Sequence, residues 1–486
     1  MIMHQQFINR DRELEFLESR YRSGNPEFII LYGRRRIGKT RLITEFLQDK
    51  TGIYFLCASY SEIENLRLLQ AQMSEFLKDE SFKKLRIAGF EELFHEFFKW
   101  FKKKERIVLV IDEFPYLIAL NSGVISIFQR IWDLNLSRQN VMLILCGSSI
   151  GMMETEVLGY KSPLYGRRTG QWRLGKLGFE YLRRFFPDYS LENLIRVYGC
   201  LDSIPEYLLK FPPNLGFWEN LRRNFVSKGS FLYEEAEILL REEFREPRNY
   251  TLILRAIAEG SRKLAQIASA TGIDKGALSR YIHNLQRVGI VDAELPATFP
   301  KKSKRSLYKL TDNYFKFYFR FVLPNKNNIE AEIDITPLIK KEYDAYLGII
   351  FEELARELIK MRKINPGFSL EDISPWWHKG EEIDIVALNE STKEIAFIEC
   401  KWSEISKKDA KQILSDLKRK AALVKWHNHE RKEYYGIIAK SIKRKEEFGS
   451  EGYLVYDLED FPIKHVRSKT FSTALLCRIP QSLPDR

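Results

Sequence analysis

Residues 27–47 read EFIILYGRRRIGKTRLITEFL, and the order of residue types in this stretch decides what kind of fold begins here. The apolar run 28–31 suits a buried strand, a glycine-bounded loop follows, and Leu42, Ile43, Phe46 and Leu47 then recur at helical spacing. Gly33, Gly38, Lys39 and Thr40 satisfy G-x-x-x-x-G-K-[ST] in full. The N–H groups of such a loop wrap phosphates, and the start of the following helix favours their negative charge. Lys39 is suited to reach the outer phosphates and the Thr40 hydroxyl to ligate magnesium, so ATP and Mg2+ are the expected cofactors.

Two further apolar runs support this reading. Residues 106–117, RIVLVIDEFPYL, put Asp112 and Glu113 at the carboxyl end of a strand, where open parallel sheets hold their ligands. Asp112 is the expected holder of hydrated Mg2+, and Glu113 the group that orients and deprotonates the attacking water. Residues 141–149, VMLILCGSS, end in Ser148 and Ser149. A hydroxyl there can touch the γ-phosphate or the lytic water, the sensor role in AAA+ enzymes. Residues 162–172, SPLYGRRTGQW, carry Arg167 and Arg168. Arg167 either reaches a neighbouring subunit's γ-phosphate, where an arginine can raise hydrolysis about a thousandfold, or packs against an acid.

Composition sets the wider frame. A chain of 486 residues has room for about three domains. A hydrophobic content of 44% and a charged content of 30% describe a globular chain and argue against a disordered one. The net charge of +12 suggests a polyanionic partner, although nucleotide enzymes are often basic too. The five cysteines are scattered, without CxxC spacing, which fits a reducing cytosol better than a disulfide scaffold. The first residues lack an apolar signal core and no apolar run approaches membrane-spanning length, so the expectation is a cytoplasmic protein with no membrane partner.

FINRDREL, YGRRRIGKT, VIDEFPYL, GSS, SPLYGRR and SIPEYL occur in this order over the first half of the chain. Together they resemble the archaeal-type ATPase family, a branch of P-loop ATPases near AAA+ and the STAND signalling ATPases. The resemblance implies that Phe7, Ile8 and Arg10 pack by the adenine, and that Pro205 is the lid proline near the base. The sequence departs from the family in having CLDSIP where relatives often show a glycine pair. The nucleotide-binding segment is taken as Gly33, Arg34, Arg35, Arg36, Ile37, Gly38, Lys39, Thr40 and Arg41. Arg34, Arg35 and Arg36 receive no individual role: phosphate, solvent, DNA or a neighbouring subunit could each engage them.

Residues 181–245 read as amphipathic helices forming a lid. Residues 261–291 then give helix, Thr271-Gly272 turn and second helix, the helix-turn-helix rhythm, and 291–312 give two strands joined by a basic loop. The second helix offers Lys275, Ser279, Arg280, His283 and Arg287, and the wing Lys301, Lys302, Lys304 and Arg305. Basic charge on both elements favours phosphate contact with DNA, though such modules also serve as lids or protein-contact surfaces.

After the acidic, proline-marked stretch NNIEAEIDITPLI, read as a linker, YLGIIFEELARELIKM is an amphipathic helix with Glu352 and Glu353. Residues 374–402 read as two strands around the turn NESTKE, with Asp384 in the first and Glu399 and Lys401 in the second. Period-two spacing aims Glu399 and Lys401 to one side and Cys400 to the core. The ordered set resembles the PD-(D/E)XK endonuclease-like domain found fused to this ATPase family. That resemblance implies metal ligation by Glu352, Asp384 and Glu399, with Glu353 as the fallback, and a catalytic role for Asp384, Glu399 and Lys401. Metal-bound carboxylates polarise a phosphodiester and activate water, and the lysine stabilises growing negative charge. Glu382 and Ile383 stand where a proline is usual. Trp376 and Trp377 read as buried beside the sheet, and His427 and His429 lack partners for a zinc site.

The expected fold class is α/β. Its units are a P-loop ATPase domain with a parallel sheet (1–180), a helical lid (181–245), a winged helix (246–325), a linker (326–345) and a restriction-endonuclease-like α/β domain (346–486). The expected function is ATP binding and hydrolysis associated with DNA, in a nucleotide-dependent homo-oligomer, with a Mg2+-dependent endonuclease-like C-terminal domain. The competing expectation is a STAND-like switch whose C-terminal domain binds nucleic acid without cutting it.

Overall fold

The computed structural model describes residues 7–102, 105–299, 306–461 and 463. Strand β1 (Glu27–Tyr32) is buried at every position, as its unbroken apolar run requires of a central parallel strand. Its neighbours are β2 (Gly52–Leu56), β3 (Ile107–Asp112), β4 (Val141–Gly147) and β5 (Gly170–Arg173), in the all-parallel order β2-β3-β4-β1-β5. The glycine loop leaves β1 and enters helix α1 (Lys39–Leu47), which buries Leu42, Ile43 and Phe46 against the sheet. Adjacent β1, β3 and β4 thus bring Gly33, Asp112 and Ser148 to one sheet edge.

The lid ends in helix α2 (Phe231–Glu243). Helices α3 (Pro247–Ala258), α4 (Leu264–Thr271) and α5 (Lys275–Val288) follow, with Gly272 left-handed at φ 69° between the last two. Antiparallel strands β6 (Val291–Glu294) and β7 (Leu307–Leu310) complete the winged helix. The basic residues Lys301, Lys302, Lys304 and Arg305 lie outside the described residues.

The chain then differs from expectation. Past the short helix α6 (Asn313–Phe317), the stretch read as a linker is mostly helical. Helix α7 (Thr336–Lys360) starts inside it, with Pro337 in its first turn, where the missing N–H costs nothing. Ile339, Tyr343 and Tyr346 are buried, and the Tyr343 and Tyr346 hydroxyls donate to the Arg196 and Gly199 carbonyls at 2.6 Å. Aromatic anchoring onto the lid, rather than solvent, is what these residues encode.

The C-terminal sheet has five strands, three more than the two the sequence suggested. SPWWH belongs to a strand of its own, β8 (Asp372–His378), hairpinned to β9 (Glu381–Asn389) through Lys379 and Gly380, both left-handed. Strand β10 (Glu394–Ile405) pairs antiparallel with β9 and parallel with β11 (Lys432–Ile442), and β12 (Leu454–Tyr456) closes the order β12-β11-β10-β9-β8. Helix α8 (Lys407–Ala421) packs on β10 and β11. One apolar cluster runs from the parallel sheet through the lid and winged helix into this second sheet.

Candidate active sites

At the first sheet edge, Lys39 is buried and folded onto its own loop, donating to the carbonyls of Gly33 at 2.9 Å and Arg34 at 3.1 Å. Burial lowers its pKa from the ordinary lysine value. Thr40 Oγ1 lies 3.1 Å from Asp112 Oδ2, which also accepts from the Tyr54 hydroxyl at 2.6 Å. Glu113 is left-handed, at φ 52°, and its carboxylate accepts from the Ser148 hydroxyl at 2.6–2.7 Å. The arrangement therefore pairs a hydroxyl and carboxylate suited to Mg2+ with a glutamate steered by a serine. Tyr54 is a member that sequence alone did not mark. Gly33 cannot be replaced without displacement, because a Cβ there would come within 2.4 Å of the Leu174 carbonyl oxygen.

The other expected residues fall into distinct places. Phe7 and Ile8 are half-buried, Phe7 against the cluster behind α1. Arg10 is buried and braces the loop, donating to the carbonyls of Ile37 at 2.9 Å and Gly175 at 2.7 Å. Ile37 is buried, while Arg41 is exposed beside Glu45. Pro205 opens a short helix whose Glu206 N–H donates to the Arg36 carbonyl at 3.3 Å, which brings the lid against the loop. Arg167 pairs with Asp133 at 3.2 Å, the acid-packing alternative within this chain.

Arg34, Arg35 and Arg36 are each engaged by the lid and the helices beyond it. Arg34 meets Asp312 and lies 4.9 Å over the Phe315 ring. Arg35 bonds Glu242 at 2.9 Å and Tyr116, and Arg36 bonds the buried Glu235 at 2.9 Å. Opposite charge on two segments, helix α2 and Asp312 before α6, draws these three side chains off the loop.

On α5, Lys275, Ser279, Arg280 and His283 are exposed, whereas Arg287 is half-buried. The Arg287 and Val288 carbonyls accept from Arg173 at 3.3 Å, so the end of α5 lies on the ATPase domain.

At the second sheet, Glu399 is buried beside half-buried Lys401, with Lys401 Nζ 3.3 Å from Glu399 and 3.8 Å from Asp384. Cys400 is buried, and its N–H donates to Asp384 Oδ2 at 2.7 Å. Lys420, on α8, adds a second ammonium on Glu399 at 2.5 Å, a partner no local pattern announced. Burial, then Glu352 and Glu399, push the Asp384 carboxyl well above the ordinary range. Burial also pushes Glu352 upward. Glu399 moves the other way, because the Asp384 hydrogen bond and the two lysines outweigh its burial.

Glu352 is thus near enough to repel Asp384, whereas Glu353 is engaged by Lys316. Among the described residues, no group of three or more His, Cys, Asp or Glu side chains is arranged to hold a metal ion. The expected Glu352–Asp384–Glu399 set is not gathered into a three-carboxylate cage, although α7 packs on β10; Asp384 and Glu399 form a hydrogen-bonded pair. A pair still suits Mg2+, which commonly rests on one or two carboxylates together with substrate phosphate.

An ATPase domain predominantly from Archaea matches residues 7–211, an IclR helix-turn-helix domain 251–294, and a family of archaeal and bacterial proteins of unknown function 318–413. The uncharacterized protein MJECL04 of Methanocaldococcus jannaschii is 40% identical over 460 residues, covering 94% of this chain and all of that protein. The chain belongs to the same family as that protein, with an archaeal-type ATPase domain. A second uncharacterized protein of that organism, MJ0424, is 45% identical over 86 residues, 18% of this chain and 82% of its own. The Walker-type ATPase PABY2304 of Pyrococcus abyssi superposes with a TM-score of 0.51 at 24% identity, over 65% of this chain and 96% of its own, a likeness of fold. An archaeal-type ATPase domain joined to a helix-turn-helix points to nucleotide-dependent function associated with DNA. No described helix of this archaeal-type ATPase is long and apolar enough to cross a membrane.

Proposed function

We propose that this protein hydrolyses ATP with Mg2+ to rearrange its lid and winged helix on DNA, and that its C-terminal site cleaves phosphodiester bonds. The proposed units are residues 1–180, 181–245, 246–325 and 346–486. The observation that carries the nuclease reading is the convergence of Asp384, Glu399 and Lys401 where the β9–β10 pairing ends, with Glu352 near enough to act on Asp384. Mg2+ on Asp384 and Glu399 would supply Lewis-acid polarisation and a more acidic bound water. Lys401 stabilises charge developing on the phosphate, and Lys420 holds the Glu399 carboxylate in place. In the ATP site, Thr40 and Asp112 would hold Mg2+, Lys39 would exchange the loop carbonyls for the outer phosphates, and Glu113, steered by Ser148, would take the proton of the attacking water.

A second reading is favoured by the seating of α5 on the ATPase domain: a nucleotide-dependent switch whose C-terminal site binds nucleic acid without cutting it. One experiment separates them. Single-stranded, duplex and branched DNA are incubated with the protein in Mg2+ or Mn2+, with and without ATP. Cleavage that Asp384→Ala and Lys401→Ala each abolish is expected. Cleavage retained by both variants, or none by the wild type on any substrate, overturns the nuclease assignment.

A further inference from the structure

The carboxylate end of the C-terminal site borders a cleft as well as solvent, since Lys401 is 41% exposed while Asp384 lines the cleft. The cleft has a volume of about 330 Å³, and its opposite wall is the winged helix. Strand β7 and the turn between α3 and α4 form one side, and α7, β8 and β9 the other. Glu352 and Asp384 line the cleft at the nuclease-like side.

The chemistry of the walls is unequal. Arg262, Lys309, Lys316 and Arg356 line the cleft against the buried or half-buried acids Glu294 and Glu353. Glu294 alone is shared by Arg262 at 3.0 Å, Lys309 at 2.6 Å and Arg356 at 2.5 Å. Over the whole lining, with Arg320, five cations stand against six acids, so the cleft is divided rather than positive: the cations gather about Glu294 and Glu353, which pre-position them, and Glu352, Glu382 and Asp384 form the acidic end. Two rings, Tyr308 and Trp377, also line the cleft and are only half-buried. Part-exposed rings beside fixed cations are the elements that bind unpaired bases and their backbone irrespective of sequence.

Size selects the ligand. A cleft of about 330 Å³ lies at the small end of ligand sites, which run from about 300 to 1,000 Å³. It has room for about one nucleotide and not for a paired duplex. We propose that this cleft is a binding site for one unstacked nucleotide of a single-stranded polynucleotide, with the base against Trp377 or Tyr308 and the phosphate between the cationic wall and Asp384. The proposal rests on the phosphodiester reading of the Asp384 site and narrows its substrate to strand ends, flaps and single strands. The exposed basic face of α5 is a separate surface, available to duplex.

The test is binding, read apart from cleavage. Fluorescence anisotropy in EDTA measures full-length protein against a labelled single-stranded 12-mer, in deoxy and ribo forms, and a blunt hairpin duplex. Trp377→Ala is expected to weaken single-strand binding about tenfold, as loss of a stacking ring does, and to leave the blunt duplex within about twofold. Trp377→Phe, which keeps a ring and guards against misfolding, is expected to restore most of the affinity. Loss on either sugar form supports the site and identifies the strand it takes. Equal loss on single strand and blunt duplex, or unchanged single-strand binding in both Trp377→Ala and Tyr308→Ala, overturns it. If no DNA is cut in Mg2+ while the selective loss persists, the cleft stands and the nuclease reading falls. If Asp384-dependent cutting occurs while Trp377→Ala and Tyr308→Ala both bind single strands normally, the reverse holds.

Discussion

Replacing Glu294 by glutamine should cost stability at neutral pH and nothing in acid. Its side chain is 10% exposed and serves three cations from three elements: Arg262 before α4, Lys309 on β7 and Arg356 on α7. Burial alone would raise its pKa, but Arg356 and Lys309 outweigh burial and hold it at about 2, against an ordinary 4.5. A carboxyl whose pKa is depressed by folding contributes stability above its unfolded pKa and loses it as pH falls through the folded one. A pKa lowered from 4.5 to about 2 corresponds to at most about 3.5 kcal/mol, at about 1.4 kcal/mol per pH unit. Arg262 is 41% exposed, and solvent screening brings the expected loss to roughly 2 kcal/mol. Glutamine keeps the shape of a protonated glutamate, so the two proteins should converge once the wild-type carboxyl is neutral. Urea unfolding of both at pH 7, 5.5, 4 and 3, compared through their midpoints and slopes, measures this. The gap should be flat from pH 7 to about 5 and then close steadily toward pH 2. A gap that persists unchanged to pH 3 would refute the electrostatic account in favour of packing, and no gap at pH 7 would show that the cations find other partners.

Two further outcomes follow from the first site. Glu113→Gln should keep ATP affinity within about threefold while lowering turnover at least about a hundredfold, the usual contribution of a positioned base; equilibrium binding and steady-state hydrolysis together check it, and undiminished turnover rejects the role. Arg36→Ala should destabilise by about 2–4 kcal/mol because it strands Glu235, which is 1% exposed, whereas Arg36→Ala with Glu235→Ala should recover part of that loss. A double-mutant cycle in urea with a coupling energy near zero would show that the pair is incidental.

How much of this was legible depended on how local each signal is. The glycine loop, the acids ending β3 and the serines ending β4 were readable because apolar runs and their terminal polar residues lie within a few positions of each other. The partners of the loop arginines were not, since Arg36 and Glu235 are 199 residues apart and Arg34 and Asp312 are 278 apart. Lys420 was missed for the same reason: it reaches Glu399 from the following helix. The linker error had a different origin. Glu330, Glu332, Asp334 and Pro337 suggested solvent and a break, yet Pro337 marks a helix start, and Ile339, Tyr343 and Tyr346 already carried the stripe of a buried face. The β8–β9 turn was obscured because Lys379, rather than asparagine or aspartate, takes its first left-handed position.

The same long-range contacts explain how the two sites are physically joined. Lys39 holds the Gly33 and Arg34 carbonyls, and the Arg34 side chain holds Asp312. Asp312 caps α6 by accepting from the Phe315 N–H at 3.0 Å, and one turn later Lys316 holds Glu353. Glu353 is the neighbour of Glu352 on α7, and both line the cleft at the second site. Every residue of α6 is buried, with Tyr314 against Tyr207 and Phe317 against Phe225, so neither end of this one-turn helix can move without the other. A displacement of the loop that carries Arg34 is therefore borne by a short rigid strut, not dissipated in a linker. Coupling between sites needs such an element together with two arrangements that it can adopt. The buried helix supplies the first requirement, and the folded-back Lys39, which cannot hold its loop carbonyls and an outer phosphate at once, supplies a reason for the second.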